Sequence, residues 1–290
     1  MNRIRTVAVF PTLFTLANLI CGFFAIVVAA RVERPDSLDR PDAVERIIFK
    51  DPTRLIRQLD PTNDTHNIML SGWLIFLAMI FDALDGYVAR LARSTSDFGA
   101  QLDSLCDVVS FGVAPGFLLV KMCPSFTYSH DKIWLIAAAF AACAALRLAR
   151  FNVEMTQDDD HMHFSGLPSP AAAAAIAGFA ILFYELRQRD NSLMYAEDID
   201  YWVQTCLPFF GLLVALLMVS RIPYPHVVNQ MLRGQRSFGH VVALVFAFVV
   251  IMSTRGYSVP IIGCVFVISS PIRFLIQRLL HRREAQEPIF

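Results

Sequence analysis

"FDALDGYVARLARSTSDFGAQLDSLCD", residues 81–107, places four aspartates, Asp82, Asp85, Asp103 and Asp107, at the end of an apolar run long enough to enter a bilayer. Residues three and four apart share a helix face, so Asp82, Asp85, Gly86 and Ala89 form one stripe with Arg90 at its border. Asp103 and Asp107 are likewise one turn apart, in line with Gly99. Between the two helices stands only "ARSTSDFG", a connection that calls for an antiparallel neighbour. The end of one helix and the start of the next are therefore expected to meet at one membrane depth.

Four unpaired carboxylates near hydrocarbon are costly, because each ionised group loses hydration. Arg90 and Arg93 offset part of the charge. A divalent metal answers better: Mg²⁺ or Mn²⁺ takes oxygen ligands, and clustered carboxylates bridge two ions about 3.5–4 Å apart. Such a centre, with coordination sites left for phosphate, suits phosphoryl-group chemistry. Gly86 and Gly99 remove side chains where a ligand approaches the backbone, and Arg90 offers a charge-assisted contact to pyrophosphate. Asp97, outside the stripe, reads as a solvated cap.

The rest of the chain fits a membrane setting. Of 290 residues, 56% are hydrophobic and 24 are phenylalanine, and the apolar residues fall in blocks rather than alternating. Net charge is zero, so no global field argues for nucleic acid. The six cysteines are scattered singly and imply no disulfide framework; five read as small core residues. The first apolar stretch, from about Val7 to Ala30, is longer than the hydrophobic region of a signal peptide and reads as a transmembrane helix.

Apolar windows near 7–30, 69–91, 104–122, 132–149, 169–186, 206–221, 238–254 and 258–277 predict an all-α polytopic bundle of about eight transmembrane helices. The last two, joined by "STRGYS", are expected to form a C-terminal hairpin over residues 226–290, added to a six-helix core over 1–225. A polar insertion, 31–67, follows the first helix, and "DAVERIIFKDPTRLIRQLD" within it reads as a short amphipathic helix or plain loop. Arginines, including Arg3, Arg5, Arg90, Arg93, Arg147, Arg150 and Arg221, gather on one side and predict that side to be cytosolic. The short loops opposite hold only Lys121, Lys132, Arg187, Arg189 and Arg255, although the 31–67 insertion runs against the rule.

The spacing D-x2-D-G-x2-A-R-x8-G-x3-D-x3-D, filled at every position by Asp82, Asp85, Gly86, Ala89, Arg90, Gly99, Asp103 and Asp107, resembles the signature of the CDP-alcohol phosphotransferases. These are integral membrane enzymes that move a phosphoryl-linked group from a CDP-activated donor to an alcohol. "PTLFTLANLICGF", "SFGVAPG", "LRLARFN", "FSGLPSPAAA" and "LMVSRIPYP" resemble the bacterial-type phosphatidylserine synthases within it, together covering most of residues 7–225. The 31–67 insertion is longer than that resemblance leads one to expect.

The resemblance implies transfer of the phosphatidyl group from CDP-diacylglycerol to L-serine, giving phosphatidylserine and CMP. It implies that Asp82, Asp85 and Asp103 bind two divalent metals, with Asp107 contributing to the second and serving as general base. Gly86, Arg90 and Ser96 would contact the donor headgroup, and Asn18 to Cys21 would lie beside the cytidine. A homodimer in the inner cell membrane, with its active site facing the cytoplasm, is part of the same implication. Arg147 and Arg150, with Asn152 just beyond, read equally as holders of the serine carboxylate and as positive-inside anchors. "GLPSP", 166–170, reads either as a break that shapes the cavity or as a plain helix start. His161, His163, His226 and His240 read as loop or interfacial residues.

Three alternatives remain at this stage. The same chemistry could use glycerol 3-phosphate or an inositol compound. Intramembrane prenyltransferases also hold pyrophosphate with aspartates, but their acidic clusters stand far apart in sequence. A divalent-cation transporter would place its carboxylates where helices break near the membrane centre.

Overall fold

The structure, a computed structural model, describes residues 9–32, 61–92, 97–124, 132–156, 166–187, 195–224 and 255–284. Over these residues the protein is an all-α polytopic membrane bundle. Its helices are α1 (Val9–Ala30), α2 (Pro61–Ala92), α3 (Asp97–Asp107), α4 (Ala114–Met122), α5 (Lys132–Thr156), α6 (Ser169–Leu186), α7 (Ala196–Val219) and α8 (Ser258–Glu284). A π-helical turn, Val108–Val113, joins α3 to α4 without breaking the rod. Among the described residues seven stretches are long and apolar enough to cross a membrane: Thr12–Ala30, Asp64–Val88, Phe98–Met122, Lys132–Val153, Ser169–Leu186, Asp198–Val219 and Ser258–Arg278. The span expected near 238–254, the amphipathic segment within 42–60 and the four histidines singled out above lie outside the described residues.

Three spans begin earlier than hydropathy suggests. α2 starts at Pro61, inside the polar insertion, where a proline suits the first helical position and Asp64 lies in the first turn. The third span starts at Phe98 and the sixth at Asp198, since polar residues within them depress the apolar signal without ending the helix. All four aspartates thus lie within spans.

α1 runs antiparallel to α2: Thr15 donates to Asp85 at one end, and Ser71 Oγ donates to the Ala25 carbonyl at 2.9 Å toward the other. It runs parallel to the α3–α4 rod, meeting Asp107 through Asn18 and, further on, receiving the Lys121 Nζ donor at the Val32 carbonyl, 2.8 Å away. α1 therefore packs against both acidic helices. α2 and α3 share few backbone contacts, but their carboxylate side chains meet directly and α2 also packs on α4, in keeping with the neighbours that the short connection calls for.

Elsewhere small residues let backbones close. A Cβ at Gly112 would lie 3.1 Å from the Ala144 Cβ, and one at Gly116 would lie 2.9 Å from the Ala137 carbonyl oxygen, so α5 packs tightly on the rod. A Cβ at Gly72 would lie 3.0 Å from the Ala177 carbonyl oxygen on α6, and one at Gly263 of α8 would lie 3.1 Å from the Ala175 Cα. Without a hydrophobic drive between helices in lipid, such close approach supplies the packing energy. Phe111, Phe140, Phe183, Leu118 and Met122 fill the interior, while Phe23, Leu135, Phe209 and Val265 face outward, as lipid requires.

The helices alternate in direction, so two ends can be distinguished. One gathers the first half of α1, the end of α2, the start of α3, the end of α5, the start of α6 and the end of α7. There Gly166, at φ +95°, gives its N–H to the Ile222 carbonyl at 2.9 Å, and the Leu167 N–H reaches the Leu217 carbonyl at 3.0 Å. At the far end Arg187 grips Asp200 through Nε and Nη2 at 3.1 and 3.2 Å, and Gln204 donates to the same carboxylate at 2.8 Å. All six cysteines are free thiols; Cys206, expected in the core, is exposed on the outer side of α7.

Candidate active site

The aspartates come together from two helices that both pack on α1. Asp82 and Asp85 project from the last part of α2, ten and seven residues before its end at Ala92. Asp103 and Asp107 project from α3, six and ten residues after its start at Asp97. At 1.5 Å per residue, Asp82 and Asp107 each stand about 15 Å from the connection and so fall level with each other. Carboxylate oxygens of Asp82, Asp103 and Asp107 all lie within 4.8 Å of one another. Asp85, buried one turn along α2, gives one oxygen, Oδ2, to the Thr15 hydroxyl.

Three carboxylates this close need a counter-charge. At an effective dielectric near 20, each ionised pair at 4.8 Å repels by about 3.5 kcal/mol. No described side chain forms an ion pair with them. Arg147 is within electrostatic reach of Asp82 and Asp107, yet its Nη1 donates instead to Ser169 Oγ at 2.8 Å. Asp103 Oδ1 is buried and has no hydrogen-bond partner. A buried, unpartnered carboxylate oxygen beside two further carboxylates is a hard, all-oxygen donor set, which fits a divalent cation such as Mg²⁺ or Mn²⁺. Arg147 alone cannot supply the balance.

α1 holds the site from behind. Asn18, fully buried, donates from Nδ2 to Asp107 Oδ1 at 2.9 Å. Ser110, on the π-turn just beyond Asp107, donates to the Asn18 carbonyl at 3.0 Å. That approach is open because position 22, whose N–H shares the same carbonyl in an α-helix, is glycine. In front, a Cβ built at Gly86 would meet nothing within 4 Å. The α2 surface beside the acidic cluster is therefore clear for a ligand.

The other expected residues are placed unevenly. Cys21 is buried and packs into the apolar core, and Gly99 sits half-buried in the first turn of α3. The Arg90 backbone belongs to α2, while its side chain, like Ser96, lies outside what is described. Arg147 and Arg150 do not end a helix, since α5 continues to Thr156. Arg150 reaches toward the Val219 carbonyl at 3.5 Å, and Asn152 Nδ2 donates to Ser104 Oγ on α3 at 2.9 Å. Thr15, Ser110, Ser169 and Ser104 were not singled out from the sequence. Thr15, Ser110 and Ser169 fall within the quoted stretches "PTLFTLANLICGF", "SFGVAPG" and "GLPSP", so each carried a signal, whereas Ser104 carried none.

The CDP-alcohol phosphatidyltransferase family profile matches residues 8–268. A protein of Methanocaldococcus jannaschii named CDP-diacylglycerol–serine O-phosphatidyltransferase is 41% identical over 164 residues, 56% of this chain and 68% of the relative. One of the same name from Helicobacter pylori is 38% identical over 165 residues, 56% of this chain and 63% of the relative. An archaetidylserine synthase of Methanothermobacter thermautotrophicus is 35% identical over 156 residues, 53% of this chain and 57% of the relative. For the last two the match spans less than two thirds of the relative's own length. With the profile running through the acidic helices and most of the remaining chain, the protein belongs to the CDP-alcohol phosphatidyltransferase family.

Proposed function

We propose that the protein transfers the phosphatidyl group of CDP-diacylglycerol to the hydroxyl of L-serine, forming phosphatidylserine and releasing CMP. The observation that carries this reading is the convergence of Asp82, Asp103 and Asp107 beside the open surface at Gly86. The names of the relatives agree on serine while differing in the lipid, phosphatidyl in two and archaetidyl in one, which supports serine as acceptor.

Asp82, Asp103 and Asp107, with the second oxygen of Asp85, would hold two divalent cations, Mg²⁺ or Mn²⁺. When bound, these neutralise the donor pyrophosphate and stabilise CMP as it leaves. Gly86 admits the diphosphate to the α2 backbone, and Arg90 and Ser96 contact the headgroup, while the α1 segment from Asn18 to Cys21, with both end side chains buried, lies beside the cytidine and backs that side of the site. Asp107 accepts the proton of the serine hydroxyl as that oxygen forms its bond to phosphorus and the phosphoanhydride bond to CMP breaks. Arg147 and Arg150, both at this end of the bundle, receive the serine carboxylate.

The arginines on the site side support an active site facing the cytoplasm, in a protein of the inner membrane. Residues 1–225 carry the chemistry, and the assembly is a homodimer, as the family resemblance implies. The deciding experiment supplies purified protein with CDP-diacylglycerol and, in turn, L-serine, glycerol 3-phosphate and inositol. CMP release is expected with L-serine alone and stops on chelation. Equal release without serine would end the acceptor assignment.

A further inference from the structure

We propose that Thr15 and Asn18 are positioning residues, with α1 acting as the template that sets the metal-binding carboxylates of α2 against those of α3. The inference rests on the metal-dependent reading above and adds residues to which no role in holding the carboxylates has been given. Thr15 and Asn18 lie one turn apart on one face of α1, and each reaches a carboxylate on a different acidic helix. Both are buried, at 3% and 0% exposure, so neither hydrogen bond competes with bulk water.

The chemistry sets the direction of each contact. An ionised carboxylate only accepts, so the Asn18 amide must present its NH₂ to Asp107, and the Thr15 hydroxyl must donate to Asp85. Each contact occupies one carboxylate oxygen, Oδ2 of Asp85 and Oδ1 of Asp107, and leaves the other available to a cation. Few backbone contacts join α2 to α3, whereas α1 packs on both, so its side chains bear directly on how the two sets of carboxylates are presented. Ser110 ties the α1 backbone to the rod at the Asn18 carbonyl, one turn of chain beyond the Asp107 it serves. Asp103, by contrast, has a buried oxygen with no hydrogen-bond partner, so the donors on α1 reach Asp85 and Asp107 and leave that oxygen open to a cation.

The test measures Mn²⁺ binding to the purified full-length protein without substrates, from the loss of the free-ion signal in electron paramagnetic resonance. Outer hydrogen bonds to metal ligands typically govern roughly 10- to 100-fold in affinity. Thr15→Val, which keeps the shape but not the hydroxyl, and Asn18→Leu are expected to weaken Mn²⁺ binding by about that factor. Thr15→Ser, which restores a donor, should bind as the parent does. In turnover assays the loss should fall on kcat at saturating Mn²⁺, with KM for L-serine unchanged. Should Thr15→Val and Asn18→Leu bind Mn²⁺ like the parent while Asp82→Asn loses it, the positioning role is wrong and the metal site stands. Parent-like binding in Asp82→Asn would instead overturn the metal reading itself. If Thr15→Ser fails together with Thr15→Val, the hydroxyl is not the determinant and the inference falls.

Discussion

Substituting Gly22 by alanine tests the seam between α1 and the π-turn. A Cβ there would stand 2.7 Å from the Ser110 Cα and 2.8 Å from its Cβ, whereas ordinary contact begins at 3.4 Å. The gap to be found is therefore 3.4 minus 2.7, about 0.7 Å, and a rotamer change in Ser110 cannot supply it because the obstructing atom is backbone. Overpacking of this kind costs about 1–3 kcal/mol, and weakening the bond from Ser110 to the Asn18 carbonyl adds about 0.5–1.5 kcal/mol. The better helix propensity of alanine returns at most about 1 kcal/mol. Net destabilisation of roughly 1–3 kcal/mol should follow, read as a lower thermal unfolding midpoint in detergent. The same displacement carries Asn18 away from Asp107, so serine-dependent CMP release should fall on the order of 10- to 100-fold. Gly86→Ala is the matched control: its methyl meets nothing within 4 Å among the described residues, so stability should hold while activity falls, because the added group enters the donor's space. A Gly22→Ala protein with unchanged midpoint and full turnover would refute the role of this seam.

Three further outcomes follow from the geometry. Asp82→Asn and Asp103→Asn should abolish both Mn²⁺ binding and CMP release, while Asp107→Asn keeps part of the metal affinity and loses about 10²- to 10⁴-fold in kcat, the range for a missing general base; titrating Mn²⁺ alongside turnover separates the two. Arg147→Gln should raise KM for L-serine by roughly 10- to 100-fold, the equivalent of about 1.5–3 kcal/mol for a charge-assisted contact, and steady-state kinetics at saturating CDP-diacylglycerol would measure it. Arg187→Gln, at the far end, removes the two-pronged grip on Asp200 and should lower stability by about 1 kcal/mol, given its partial exposure, without altering kcat.

Helix periodicity and residue chemistry are local, and whatever depends on them alone could be read from residues 81–107: four aspartates on two helix faces, a glycine left bare beside them, and a need for cations. The presence of the membrane spans was legible for the same reason, but not where each begins, since polar residues at the starts of three of them hide the helix from hydropathy. Three-body geometry was not legible. That α1 would pack against both acidic helices, that Thr15 and Asn18 would each claim a carboxylate, that Arg147 would turn to Ser169, and that the rod would open into a π-turn at Val108–Val113 all depend on partners far away in the chain. Thr15 and Asp85 are 70 residues apart, and Asn18 and Asp107 are 89 apart. Spacing within one helix says which side chains share a face; only the packed bundle decides which helix that face meets, because small residues such as Gly22 and Gly112 permit close approach from more than one neighbour and the fold selects among them.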